Sequence, residues 1–477
     1  MEIQKTTGLF NIIPCIPSFV RRILATLGED VYLVGGTSRD LLRGKVPVDW
    51  DMATGLTPAE LMNRFAGDPS VHVSDKQGKS FGVCRITNEA NPDIHIDIAR
   101  FRTDGSYGDQ RHPDEVKFVG SIEMDLQRRD FTINAIAITS DLNTAFYPAG
   151  ALDDLEYGFL TTVGDPQARF EEDPLRILRL FRQFAQGHGS YIWGDMLRAV
   201  RECNALLLPL TLSNERVRDE LNKLLLSNDR KALRMALRLM HQMGVLKLIL
   251  PEVDALATVE QNCKYHAYNA FEHTIRVVSF TPPVLALRVA ALLHDTGKPH
   301  KATVGENGTT HYYQHELASA DITREVMVRL KYPNDTIDFV TSLVRWHMYQ
   351  FWAEPTQKKF RKLMAKMQSV VGPVYLMRLR RADRLGMGTI PFATVHANYL
   401  KVLQVLRQTM KAKPVTTTRG LAVSGSDVMK VADIPSGKQV GVILRNLMDM
   451  VIENPELNDR EGLLARLSKF RISGRLV

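Results

Sequence analysis

Asp49 and Asp51 stand two apart in "VPVDWDMAT". On an extended strand, side chains at i and i+2 leave from one face, so both carboxylates could grip one cation. Hard oxygen ligands on a rigid strand suit Mg2+, which keeps waters and borrows its remaining ligands from substrate phosphates. Asp97, mid-segment in "IHIDIA", could add a third carboxylate from a neighbouring strand. Together they could hold a two-metal phosphoryl-transfer site, one ion activating an attacking hydroxyl and the other steadying a leaving pyrophosphate. An isolated DxD is more often a solvated strand end, but here the context differs. Gly35-Gly36 lies between a strand and a helix start, where bare backbone N–H groups can approach phosphate, and Arg39 follows one helical turn later.

The periodicity of the chain predicts the elements that position these groups. Residues 16–28 read as helix, "VYLVGG" as a short apolar strand stopped by glycine, "LLRG" as the end of the next helix and "VDWDMAT" as a second strand. "FGVCRI" and "IHIDIARF" are further strands, the latter alternating Ile94, Ile96 and Ile98 with His95 and Asp97. The first 150 residues are therefore mixed α/β, a small mixed sheet with helices. From about 170 onward, apolar residues recur at three and four in "DPLRILRLFRQFAQ", "SNERVRDELNKLLL" and "RKALRMALRLMHQMGVLKLIL", which predicts an all-α body. Pro251 opens a linker before a His-rich helical segment, and "AKPVTTTRGLAVSGSD" marks a last boundary. The expected division is 1–150, 151–255, 256–395 and 396–477.

At 477 residues the chain is too long for one ordinary core. Its 44% hydrophobic and 24% charged residues exclude a disordered polymer. A net charge of +8 fits a polyanionic partner. Cys15, Cys84, Cys203 and Cys263 form no CxxC pair, so neither a disulfide framework nor a thiolate zinc site is indicated. "LFNIIPCIPSFV" lacks a cleavage pattern, and "VLALRVAALL" is broken by Arg288 well short of a membrane span. No membrane contact is expected, no obligate protein partner is evident, and the protein reads as cytoplasmic.

"GGTSRDLLRGKVPVDWDMAT" resembles the signature of class II template-independent nucleotidyltransferases, the group of tRNA CCA-adding enzymes and bacterial poly(A) polymerases. Ser38 stands where the family usually has Val. Residues 102–137 continue the resemblance, ending in "RRDFTINA". It implies that Asp49, Asp51 and Asp97 are catalytic, with Mg2+ on Asp49 and Asp51. It further implies that Gly35, Gly36, Arg39, Arg129, Asp130 and Asn134 contact the nucleotide, Asp130 at the ribose hydroxyl. Arg102, Asp104 and Arg111 would lie on a flexible loop that helps switch between nucleotides.

In "RFEEDPLRILRLFRQ", Asp173 and Arg176 are i and i+3 at a helix start and are expected to hold each other's orientation. Cytosine and adenine each show an exocyclic amino donor beside an unprotonated ring nitrogen; guanine and uracil show the reverse. A carboxylate beside a guanidinium would accept CTP and ATP and reject GTP and UTP, so side chains replace a template base. Arg179 and Arg182 could reach the nucleotide's ribose and phosphates or the primer. Ser213 is a predicted N-cap, with Glu215 and Arg216 bracing the neck.

"FEHTIRV", "ALLHDTGKPHK", "YYQHELASA", "VRWHM" and "RADR" resemble the HD metal-dependent phosphohydrolase superfamily. This implies a site of His273, His294, Asp295, His315, His347 and Asp383 binding Ni2+, Mn2+ or Mg2+, with Lys298 available for phosphate. In CCA-adding enzymes the domain is associated with phosphatase or 2′,3′-cyclic phosphodiesterase activity on RNA ends. The tail resembles the family's C-terminal region, with Ala432 and Ser436 in place of the usual glycine and proline, and is expected to contact the tRNA elbow by shape and phosphate. The expected function is addition of CCA to the tRNA 3′ end from CTP and ATP. The alternatives are a poly(A) polymerase, a partial CC- or A-adding enzyme, and an HD hydrolase whose head merely binds RNA.

Overall fold

The computed structural model describes residues 1–8, 10–75, 82–104, 116–118, 120–208, 212–261, 266–306 and 310–473. They form two compact units, 1–249 and 250–477.

In the first unit, β1 (Ile3–Thr7), β2 (Val31–Val34), β3 (Trp50–Thr54), β4 (Val71–Asp75), β5 (Val83–Asn88), β6 (Asn91–Arg100), β7 (Ala137–Thr139) and β8 (Thr144–Pro148) make one mixed sheet. Its order is β1-β8-β7-β2-β3-β6-β5-β4. The β3–β6 pair is parallel and sets Asp51 opposite Asp97; the other pairs are antiparallel. β2 sits inside the sheet because Val31, Leu33 and Val34 are all apolar and all bury. α1 (Ser18–Leu27) buries Val20, Ile23, Leu24 and Leu27, a single face at three and four spacing, and stops at Gly28.

Between β2 and α2 (Gly36–Leu42) the chain turns at Gly35, whose φ of +68° favours glycine. A Cβ there would lie 3.4 Å from an Arg129 guanidinium nitrogen and 3.8 Å from an Asp51 carboxylate oxygen. The motif glycine thus brings backbone up to both charged groups.

α3 (Ile122–Gln127) leads into the "RRDFTINA" segment. Beyond the sheet the unit is helical. α4 (Pro166–Glu172) begins with Asp165 capping the Ala168 N–H at 2.9 Å. Pro174 then ends it, because the residue before proline avoids helical backbone, and Asp173 is extended at φ −139°. α5 (Leu175–Ala185) starts afresh and buries Leu175, Ile177, Leu178, Leu180 and Phe181. Each such side chain is worth roughly 1.5–3 kcal/mol when fully buried. α5 packs on α6 (Asn214–Leu225), where Ser213 is the N-cap its position predicts.

The second unit is built on α7 (Ala270–Phe280), α8 (Leu285–Leu293), α9 (His315–Arg329), α10 (Asn334–Arg345) and α11 (Gly372–Gly386). α8 is apolar on nearly every side and is the buried centre that "VLALRVAALL" becomes. Its lone Arg288 is buried with Nε donating to the Pro282 carbonyl at 3.2 Å. After His294-Asp295, Gly297 presses against α9; a Cβ there would fall 2.4 Å from the His315 carbonyl oxygen. Three later helices, Gly425–Ala432, Lys438–Glu453 and Arg460–Ser473, share a small core of Val428, Ile443, Leu447, Val451, Leu463 and Leu467. Ala432 stays helical, and Asp433 takes the left-handed cap at φ +56°. Among the described residues, no helix is long and apolar enough to cross a membrane.

Candidate nucleotide and metal sites

Asp49 and Asp51 are exposed on either side of buried Trp50; the strand begins at Trp50, so Asp51 is its second residue and Asp49 lies in the bend just before it, outside the strand expected to carry both. Thr37 fastens them to the glycine turn. Its hydroxyl donates to the Asp49 carbonyl at 3.1 Å and accepts the Asp51 N–H at 2.8 Å. Ser38 is fully buried and donates to the Leu33 carbonyl at 2.7 Å, which satisfies the hydroxyl that replaces an apolar side chain. Asp97 is the cross-strand partner of Arg85, in two contacts of 2.7 and 2.9 Å. Among the described residues, the two groups of three metal-ligating side chains whose donor atoms converge within 4.8 Å both lie in the second unit. Asp49, Asp51 and Asp97 share a neighbourhood without that convergence.

Arg39 is 6% exposed, with Nε on Asp40 at 2.9 Å and a terminal nitrogen donating to the Asn134 side-chain oxygen at 2.8 Å. Arg129 and Arg128 both close on Asp125 at 2.9 Å. Burial alone would raise the Asp125 pKa, but Arg129 and Arg128 outweigh it and hold the carboxylate ionised. Burial first, then Arg39, Arg43 and Arg182, push the His188 pKa down to about 3.

The mutual pairing expected of Asp173 and Arg176 does not occur, because Pro174 throws Asp173 out of helical geometry. Asp173 instead meets Arg216 at 3.3 Å and Arg179 at 3.8 Å. Arg176 binds Glu172, the Arg169 carbonyl at 3.1 Å and the Arg128 carbonyl at 3.3 Å. Its buried Nε finds no acceptor among the described residues. Arg179 lies 3.9 Å from Asp130 and 3.6 Å from Glu220, which also meets Arg182 at 3.1 Å. Adjacent residues thus face two ways: Arg129 towards the Gly35 turn and Asp51, Asp130 towards the Asp173 lattice. Arg102 begins a short strand, Arg102–Asp104, and its N–H reaches Asp125 at 3.4 Å. Arg111 and the Asp104 side chain lie outside the described residues.

Several participants went unread in the sequence. Asp125 was findable, since Arg128 and Arg129 follow at i+3 and i+4 on a helix end. Arg85 required the strand register, and Glu220 the packing of α5 on α6.

In the second unit all six predicted ligands come together and are buried. They form two trios, His273/His294/Asp383 and Asp295/His315/His347. Asp295 is central, 3.6, 3.3, 3.2 and 3.9 Å from the Nε2 atoms of His273, His294, His315 and His347. The Nδ1 atoms of His294, His315 and His347 sit 2.8, 2.7 and 2.7 Å from backbone carbonyls, which directs Nε2 inward. Among the described residues, the buried Nε2 atoms of His294 and His347 find no well-aligned hydrogen-bond partner, although the Asp295 carboxylate stands 3.3 and 3.9 Å away. Such orphaned imidazole nitrogens beside ionised carboxylates are what divalent ions satisfy. Burial opposes ionisation of Asp295 and Asp383, yet His294 and Lys298 for the first and Arg380 and His273 for the second hold both well below the usual carboxylate range. Burial, then His294 and His315, keeps His347 neutral, the form that ligates. Lys298 Nζ reaches Asp295 and Gln261, each at 2.6 Å.

Family models match in the same order: "Poly A polymerase head domain" over residues 31–161, "Probable RNA and SrmB- binding site of polymerase A" over 194–256 and "HD domain" over 270–388. A CCA-adding enzyme of Enterococcus faecalis is 28% identical over 475 residues, 99% of each chain. An A-adding tRNA nucleotidyltransferase of Deinococcus radiodurans is 30% identical over 430 residues, 87% of this chain and 90% of the other. The crystal structure of a Bacillus stearothermophilus CCA-adding enzyme in complex with CTP shares the fold, at a TM-score of 0.67 and 24% identity over 95% of this chain and 97% of that one. Similarity that runs through both units, and not only through the glycine-DxD segment, makes this chain a member of the class II nucleotidyltransferase family of CCA-adding and related enzymes.

Proposed function

We propose that the chain adds the 3′-terminal CCA to tRNA, using CTP and ATP and releasing pyrophosphate. The observation that carries this is the back-to-back placement of Arg129 and Asp130, which links the Asp49/Asp51 segment to the Asp173 lattice within one unit. Asp49 and Asp51, with Asp97 beside them, would hold Mg2+, which lowers the barrier to hydroxyl attack and neutralises the leaving pyrophosphate. Arg39, steadied by Asn134, and Arg129, steadied by Asp125, bind the phosphates at the Gly35-Gly36 turn. The tRNA 3′-hydroxyl attacks the α-phosphate in line, and no covalent enzyme intermediate is required. Asp173 accepts from the amino group that cytosine and adenine share, and the unspent Nε–H of Arg176 is the donor for their ring nitrogen. Arg179 and Arg182 reach the ribose and phosphates or the primer, and Arg102, Asp104 and Arg111 help the site change nucleotide.

In this reading residues 1–150 are the nucleotidyltransferase head, 151–255 the neck, 256–395 the HD domain and 396–477 a tRNA-contacting tail, and the enzyme works in the cytoplasm. The A-adding name of the Deinococcus relative favours a second reading, addition of A alone. Incubation with tRNA lacking its CCA end, each NTP singly and in pairs, followed by sequencing of the products, separates them. Two C and then one A is the expected outcome. A alone, or a long A tract, would overturn the assignment.

The HD trios would hold two divalent ions and hydrolyse phosphate esters, with Lys298 and Arg380 binding phosphate. Mn2+ or Ni2+ at about a hundred times its Kd should stabilise the wild-type chain by about 2.7 kcal/mol. Thermal unfolding measures this; an equal rise in Asp295→Asn would exclude these ligands.

A further inference from the structure

Outside the six ligands, the HD cavity carries an aromatic rim that neither the HD motif nor metal binding requires. The cavity, about 280 Å³, is lined by all the ligands but His294, by Lys298 and Arg380, and by His311 and Tyr313. The His311 and Tyr313 rings are stacked, 5.3 Å between centroids and 14° from parallel, and Tyr313 is 71% exposed. An exposed Tyr is common in itself; what sets this one apart is that it is stacked on a second ring at the mouth of the metal-ligand cavity, where its outer face is open to a planar partner.

This rim is built into the site. His311 pairs with Thr303 in a two-stranded ladder. The Tyr312 hydroxyl donates to the Glu260 carbonyl, and the Tyr312 carbonyl lies 2.7 Å from Nδ1 of His315, a ligand. The rings are thus fixed relative to the trios by the same backbone that orients one of them. Lys298 and Arg380 each already meet a carboxylate, at 2.6 and 2.7 Å, but an ammonium has three donors and a guanidinium five, so both can also take phosphate.

The geometry points to His311 and Tyr313 as a base-stacking shelf, the side chains by which the HD site favours phosphate esters that carry a nucleobase over esters of small alcohols. This rests on reading the second unit as a metal-dependent phosphohydrolase. In the reaction, water oxygen bonds to phosphorus, the P–O3′ bond breaks, and O3′ takes a proton to leave as the nucleoside hydroxyl, giving inorganic phosphate. A small ester engages the metal site and the two cations alone; a nucleoside ester also lays its base on the His311–Tyr313 stack.

The test is hydrolysis of guanosine 3′-phosphate and of glycerol 2-phosphate by the full chain with Mn2+; guanine is a base that the head excludes. Tyr313→Ala should lower the ratio of the two kcat/KM values about tenfold, chiefly through KM, and Tyr313→Phe should restore it. An unchanged ratio in Tyr313→Ala would overturn the shelf. If wild-type protein cleaves neither ester while Asp295→Asn behaves identically, the hydrolase reading fails by itself. Calorimetric binding of guanosine 3′-phosphate then decides: affinity lost in Tyr313→Ala supports the shelf, and equal affinity removes it.

Discussion

Asp51→Asn should reduce nucleotide incorporation by about 10³-fold or more while leaving the fold intact. The size follows from the work assigned to the carboxylate, since an ion held there supplies several kcal/mol of charge stabilisation and each 1.4 kcal/mol is about tenfold in rate. Intactness follows from its place. Asp51 is exposed, its neighbours Trp50 and Met52 do the burying, and its N–H, not its side chain, makes the bond to Thr37. Surface changes of this kind usually move stability by less than about 0.5 kcal/mol. Single-turnover incorporation on tRNA lacking its end, with thermal unfolding beside it, checks both halves. Near-wild-type turnover in Asp51→Asn would remove the metal role from this strand.

What the sequence made legible depended on whether the cause was local. The glycine turn and the Ser213 cap follow from residues within a few positions of one another, and each is where its pattern predicts; the strand expected over "VDWDMAT" starts only at Trp50, so it carries Asp51 while Asp49 lies in the bend before it. The six HD ligands were readable as residue types in order, and the fold brings all of them together. Partners across the chain were not readable. Arg85 meets Asp97 only because β5 and β6 pair in that register, and Arg216 meets Asp173 only because α6 packs on α5. Among the local inferences that failed, the Asp173–Arg176 pair treated both as members of one helix and overlooked what Pro174 does to the residue before it, and the linker expected at Pro251 is instead helical over Pro251–Asp254. The break before Pro174 also has a use. An extended Asp173 sets its carboxylate over the start of α5, where it accepts the Leu175 N–H at 3.2 Å and meets Arg216 at 3.3 Å.

Asp173→Ala is accordingly expected to relax base choice more than it slows chemistry. Wild-type protein should prefer CTP over UTP because the carboxylate accepts the exocyclic amino group and repels a carbonyl at the same place. Removing it should lower the CTP/UTP ratio of kcat/KM between about tenfold and a hundredfold, the discrimination that one well-made bidentate contact supplies. Some loss of stability accompanies the change, since Arg216 and Arg179 lose a counter-charge, although Arg179 keeps Asp130 and Glu220 nearby. A purely structural role for Asp173 predicts a different pattern, with kcat/KM for all nucleotides falling together and the ratio preserved. Arg216→Met separates the two further. It removes the brace while leaving the acceptor, so selectivity should fall less than in Asp173→Ala even where stability falls as much. A preserved CTP/UTP ratio in Asp173→Ala would place base reading elsewhere in the unit.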